Sequence, residues 1–165
     1  ALADTGNGKT TGAKEVQFRG GLIAFSIPEH WVEKSASKDE STYQESGNNT
    51  GKLHVSVVTM KLPIMVADNS GAKALCILKD VKPSEVENLP NGNAMAKSVE
   101  HKTAQGQPVT LYSWSVAHPI PPYHVRTAIF SYTIHASQEK SPKTAADLRF
   151  MERSIQNTSF NHILD

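Results

Sequence analysis

Polar and apolar residues alternate along most of this chain. Between His124 and His135 every second residue falls on one side of an extended backbone: Arg126, Ala128, Phe130, Tyr132 and Ile134. A period of two sustained over that length predicts a strand. Lys52–Leu62 repeats the pattern, with Leu53, Val55 and Val57 opposite His54, Ser56, Val58 and Met60. Apolar residues on both sides place that strand inside a sheet. Upstream, Val16-Gln17-Phe18 and Ile23, Phe25 and Ile27 alternate around Gly20-Gly21, which predicts a hairpin. Pro28 ends it, and Trp31-Val32 begins another extended piece. Ser35–Ser41 is a polar connection, Thr42-Tyr43-Gln44 a short strand, and Gly47–Gly51 a turn by composition. Ala94–Thr103 and Val109–His118 form a strand pair around Gln105-Gly106, with Tyr112, Trp114 and Val116 on one face. Pro119-Ile120-Pro121-Pro122-Tyr123 lacks the donors a ladder needs, so a loop is expected there before the His124–His135 strand.

Two segments change period. Asp68, Asn69 or Ser70 caps a helix running to about Lys79, with Ala72, Leu75 and Cys76 on one stripe. Ser141 caps a second, with Pro142 at the first helical position and Ala145, Leu148, Met151 (or Glu152) and Ile155 at helical spacing. Phe160 packs after its end. Lys82–Asn93 is a connection with one helical turn at Ser84–Asn88. Strands, a helix, three antiparallel strands and a helix predict an α+β domain, an antiparallel sheet covered by helices. Residues 1–14 show no periodicity and are expected to form a flexible tail, with a single domain over 15–165.

These pieces resemble the Mog/PsbP-like superfamily of α/β/α sandwiches. The residues that carry the resemblance are Ile23-Ala24-Phe25-Ser26-Ile27-Pro28-Glu29-His30-Trp31, then Leu53-His54-Val55-Ser56-Val57, then Thr127–Ile134 with the helix Ala145–Ile155 and Phe160. The resemblance spans roughly Val16–Phe160 and implies a sandwich that works as a binding module. Superfamily members include photosystem subunits, a nuclear-transport regulator, bacterial lipoproteins and secretion-linked adaptors. Some periplasmic immunity proteins look similar in fold. The motifs are structural, so no site residue is carried over.

Composition narrows the function classes. The formal net charge is +1 and no basic run occurs, which argues against nucleic acid. No apolar run is long enough to span a membrane. Cys76 is the only cysteine, flanked by Ala74, Leu75, Ile77 and Leu78, and is expected to be an inert buried thiol. Ala1-Leu2-Ala3 has the small-x-small spacing of a signal-peptidase site, which predicts an exported or periplasmic protein.

Catalytic patterns are weak. Ala3–Thr10 fits a permissive phosphate-loop pattern but lacks the preceding strand and following helix that its chemistry requires. No nucleophile elbow, C-x-x-C or H-E-x-x-H occurs. His118 and His124 flank the proline run, and would need a third ligand such as His54, His101 or Glu100 to hold a metal. Neither a cofactor nor a metal is expected. Recognition falls instead to two segments. Pro119–Tyr123 offers Ile120 and Tyr123, with His124 beside them, on a backbone stiffened by prolines. Lys38–Asn49 offers Asp39, Glu40, Tyr43, Glu45, Asn48 and Asn49, acidic enough to meet a basic cleft. The expected function is non-enzymatic: a periplasmic immunity protein that occludes the active cleft of a cognate secreted toxin. The alternatives are an accessory or assembly factor of an envelope or secretion machine, and a small metal-dependent hydrolase.

Overall fold

The structure, a computed structural model, describes residues 12–45 and 51–164. The expected export site, the phosphate-loop match at 3–10 and both Asn48 and Asn49 lie outside the described residues. The strands are β1 (Ala13–Phe18), β2 (Ile23–Pro28), β3 (Trp31–Ala36), β4 (Glu40–Glu45), β5 (Gly51–Lys61), β6 (Glu87–Asn88), β7 (Ala94–Ala104), β8 (Gln107–Ile120), β9 (His124–His135) and β10 (Ser159–Phe160). The helices are α1 (Ser70–Lys79) and α2 (Pro142–Gln156). Seven strands form one sheet in the order β3-β4-β5-β9-β8-β7-β6, and a smaller sheet has the order β1-β2-β10. All pairings are antiparallel. The fold is the expected α+β sandwich.

Alternation decides which residue faces which layer. Leu53, Val55 and Val57 of β5, and Ala128, Phe130, Tyr132 and Ile134 of β9, point inward. They meet Phe25 and Ile27 of β2 and Met151 and Ile155 of α2. The opposite side of the large sheet sends Ala96, Ala117 and Val125 against Ala74 and Leu75 of α1. Each large aliphatic or aromatic side chain fully buried here contributes about 1.5–3 kcal/mol. Polar contacts fix the layers laterally. Ser154 Oγ of α2 donates to the Ser26 carbonyl at 2.6 Å and accepts from the Ser26 N–H at 2.8 Å. Gly71 lets α1 lie on β8, because a Cβ there would stand 3.1 Å from the Ala117 carbonyl oxygen.

Three boundaries differ from the sequence pattern. The β1 strand already includes Ala13 and Lys14, paired with Pro28 and Ile27, so ordered structure starts before the expected Glu15. The β8–β9 ladder runs through Pro119 and Ile120, opposite Val125 and His124, leaving only residues 121–123 as the turn. Beyond Ala117 β8 has no β7 partner, so a proline there removes no bond on that side. Finally, the short strand expected at Thr42-Tyr43-Gln44 runs over Glu40–Glu45, an internal strand between β3 and β5. Ser41 and Tyr43 turn inward while Glu40 and Thr42 point out, an alternation that polar composition masked.

Candidate functional site

The end of the large sheet where β8 turns into β9 gathers the most chemistry. The segment after β5 is zipped to that turn: the Leu62 N–H donates to the Tyr123 carbonyl at 2.6 Å and the Val66 N–H to the Pro122 carbonyl at 2.8 Å. Between these two bonds Ile64 and Met65 stand 70% and 66% exposed, next to Tyr123 at 40%. This is an apolar tip on a stiff backbone.

Beside the tip lies an open groove of about 650 Å³ between the start of α1 and the turn before β7. Asp68, Asn69, Asn93, His118 and His162 line it. His118 projects inward from β8 and is held on two sides. Its ring stacks on Phe160 of β10, centroids 5.3 Å apart and planes 8° apart. Its Nδ1 lies 2.9 Å from Asn93 Oδ1. Asn93 is buried, and its amide nitrogen donates to the carbonyls of Gln156 at 3.2 Å and Thr158 at 3.0 Å. Those two bonds fix the amide, so Oδ1 must face His118 and can only accept. His118 Nδ1 therefore carries the proton, and Nε2 holds the lone pair. Burial, and then the charge of His162, push the His118 pKa below its ordinary value, which favours the neutral ring. The His162 ring lies 5.6 Å from it, tilted by 44°.

The C-terminal strap that carries Phe160 and His162 is anchored by Arg126, the β9 residue opposite His118. Arg126 is fully buried. Its Nε donates to Thr59 Oγ1 at 3.0 Å, one terminal nitrogen to the Asn161 carbonyl, and the other to the Ile163 carbonyl at 2.6 Å. The Asn161 N–H in turn donates to the Leu22 carbonyl at 3.0 Å.

The opposite end of the same sheet is closed by charge. Lys143 of α2 pairs with Glu45 at 2.5 Å and Asp147 at 2.8 Å. Tyr132 donates to Asp147 at 3.3 Å and stacks on Trp31 with centroids 5.8 Å apart. Burial, followed by the Asp147 carboxylate, drives the Tyr132 pKa far up. The hydrogen bond from Lys143 lowers that of Glu45.

The expected contact residues are scattered by this arrangement. Ile120 is fully buried and caps the end of the core, so it offers no contact surface. Tyr43 is buried too, meeting Phe25 edge-on at 5.9 Å. Glu45 is engaged by Lys143, and Glu40 sits 3.3 Å from His54. Asp39 and Glu40 are exposed, as is Tyr123. His124 is half-buried, and its Nδ1 has no hydrogen-bond partner among the described residues. The two segments are set apart along β5: Glu40 lies opposite Ser56 and Gln44 opposite Lys52, about 20 and 33 Å along the strand direction from Leu62, which meets Tyr123. His118 and His124 share the inward face of their hairpin, but the histidine ring in contact with His118 is His162. Among the described residues no group of three or more His, Cys, Asp or Glu is placed to hold a metal ion. Cys76 is half-buried rather than enclosed. Asn93, His162 and Arg126 were invisible as site residues in the sequence, because their partners lie 25 to 65 residues away.

No family model matches this chain, and no curated protein matches it. Solved structures do share its fold. A protein of Bacteroides thetaiotaomicron VPI-5482 superposes with a TM-score of 0.58 at 14% identity over 90% of this chain, which spans only 48% of that one. LpqN of Mycobacterium tuberculosis, described as involved in cell envelope biogenesis, superposes with a TM-score of 0.57 at 13% identity over 92% of both chains. At such identities the likeness is one of fold, and no match shows the Mog/PsbP-like superfamily. No helix among the described residues is long and apolar enough to cross a membrane.

Proposed function

We propose that this protein is an exported, non-catalytic binding module of the cell envelope, an accessory or assembly factor of an envelope or secretion machine, and that it meets a protein partner through the apolar tip. The observation that carries this reading is the cluster of exposed Ile64, Met65 and Tyr123 on a backbone pinned by two hydrogen bonds. Exposed apolar side chains on a rigid frame lose little entropy on binding, and tyrosine is a frequent interface anchor. The envelope setting draws support from the fold shared with LpqN. The immunity-protein reading rests on export, a sandwich similar to binding modules and the lack of a catalytic set, and nothing in the comparisons points to a toxin. With Tyr43 and Ile120 in the core and Glu45 paired to Lys143, the accessory role is better supported.

A photo-crosslinking residue at Met65 tests it in the native host. One defined envelope protein should be captured from Met65, lost on Tyr123→Asp, and absent when the crosslinker stands at Gln105 on the opposite end. Equal capture from both positions, or fractionation of the protein with the cytosol, rejects the proposal.

A further inference from the structure

We propose that His118 and His162 form a binding site for a borderline divalent cation, Cu²⁺ foremost and Ni²⁺ or Zn²⁺ after it, with His118 Nε2 as the leading ligand. Four observations converge. Asn93, locked by two backbone carbonyls, takes the Nδ1 proton of His118 and leaves Nε2 unprotonated. This is the outer-shell arrangement by which proteins fix the tautomer of a ligating imidazole. Phe160 holds the plane of the ring. His162 supplies a second imidazole at 5.6 Å, and two rings on one ion with metal–nitrogen bonds of about 2.0–2.1 Å stand about 5–6 Å apart, centre to centre. Both rings line the same open groove, with the Asp68 carboxylate in its wall.

The contrast with other histidines of the chain sharpens the assignment. His30, His54 and His101 each direct Nε2 at a carboxylate, that of Glu45, Glu40 and Glu139 respectively. Among the described residues no carboxylate pairs with His118. Imidazole ligands suit copper, nickel and zinc, and affinity among divalent ions peaks at copper. Two nitrogens leave the remaining positions to water or to a group brought by a ligand in the groove. The site stands whether or not the apolar tip has a partner.

The test uses the whole metal-free chain and Cu²⁺ alone. An equimolar addition should give an electron paramagnetic resonance spectrum with coupling to two imidazole nitrogens. His162→Ala, at an exposed position, should keep the melting temperature and weaken binding tenfold or more in a competition titration, while His54→Ala and His101→Ala change nothing. Nitrogen-15 spectra of the metal-free protein should show His118 neutral with its proton on Nδ1. Equal affinity in the wild type and His162→Ala would overturn the proposal, as would a proton on Nε2 of His118 in the metal-free protein.

Discussion

The two ends of the inward face of β9 handle polar groups in opposite ways. At one end Tyr132, Asp147, Lys143 and Glu45 form a chain in which each charged group meets an opposite one. The chain joins α2 to β4. At the other end Arg126 donates to a hydroxyl and two backbone carbonyls of the strap, and His118 is oriented by a neutral amide. An amide orients an imidazole without protonating it. The first end is built to stay shut, and the second keeps a ring nitrogen available beside an open groove.

The largest break in this comparison is Arg126→Ala. It strands the Asn161 and Ile163 carbonyls and Thr59 Oγ1, and it opens a void the size of the side chain. Together these should cost about 3–5 kcal/mol in urea denaturation at pH 7. Amide exchange of Asn161, whose N–H bonds Leu22, should speed up first, because the strap loses its anchor. A loss below about 1 kcal/mol would show that β10 pairing alone holds the strap.

A smaller break tests the closed end. A Cβ at Gly51 would overlap the Tyr132 hydroxyl and ring, which cannot retreat because Trp31 stacks on one face. Gly51→Ala should therefore cost about 1–3 kcal/mol. Pairing it with Tyr132→Phe, which removes the crowding oxygen, should recover part of that loss. A fully additive pair would mean that strain sits elsewhere.

Much of this architecture was legible in period alone. The inward set of β9 came from a strict alternation of five residues, and α2 came from its cap, its proline and a stripe ending at Ile155. Where strand polarity is unusual the pattern reached only part of the element. Ser41 turns inward beside Tyr43, so the strand begins two residues before the Thr42-Tyr43-Gln44 that the sequence marks. Pro119 looked like a ladder breaker because the width of the sheet at that point, one neighbour rather than two, is a tertiary property. Arg126 sat in plain view on an apolar face, and only the strap 35 residues later explains why a guanidinium belongs there. The groove was the least legible, since Asn93, His118 and His162 come from three separate parts of the chain.

Lys143→Met separates the two ends energetically. Lys143 keeps 44% of its side chain exposed, so its pairs with Glu45 and Asp147 are partly screened, and the loss should be about 0.5–1 kcal/mol, shrinking as salt is added. Burial works against its charge, but the two carboxylates outweigh this and raise its pKa.

Acid then distinguishes the ends through the sign of each shift. His118 has a folded pKa below its ordinary 6.5. Between 6.5 and that lower value the unfolded chain binds more protons at this residue, so its contribution is complete above 6.5 and declines as the pH falls. One proton limits that slope to about 1.4 kcal/mol per pH unit. Glu45 is shifted below its ordinary 4.5, so its contribution is complete above 4.5 and declines only in stronger acid. The groove end should thus weaken first on acidification and the ion-pair end second. Subtracting the urea stability of His118→Phe from that of the wild type, from pH 7.5 to pH 5, isolates the first step, because the phenyl ring keeps the stack on Phe160 and cannot titrate. A difference that stays level across that range would mean that His118 is as free to take a proton in the folded groove as in the unfolded chain.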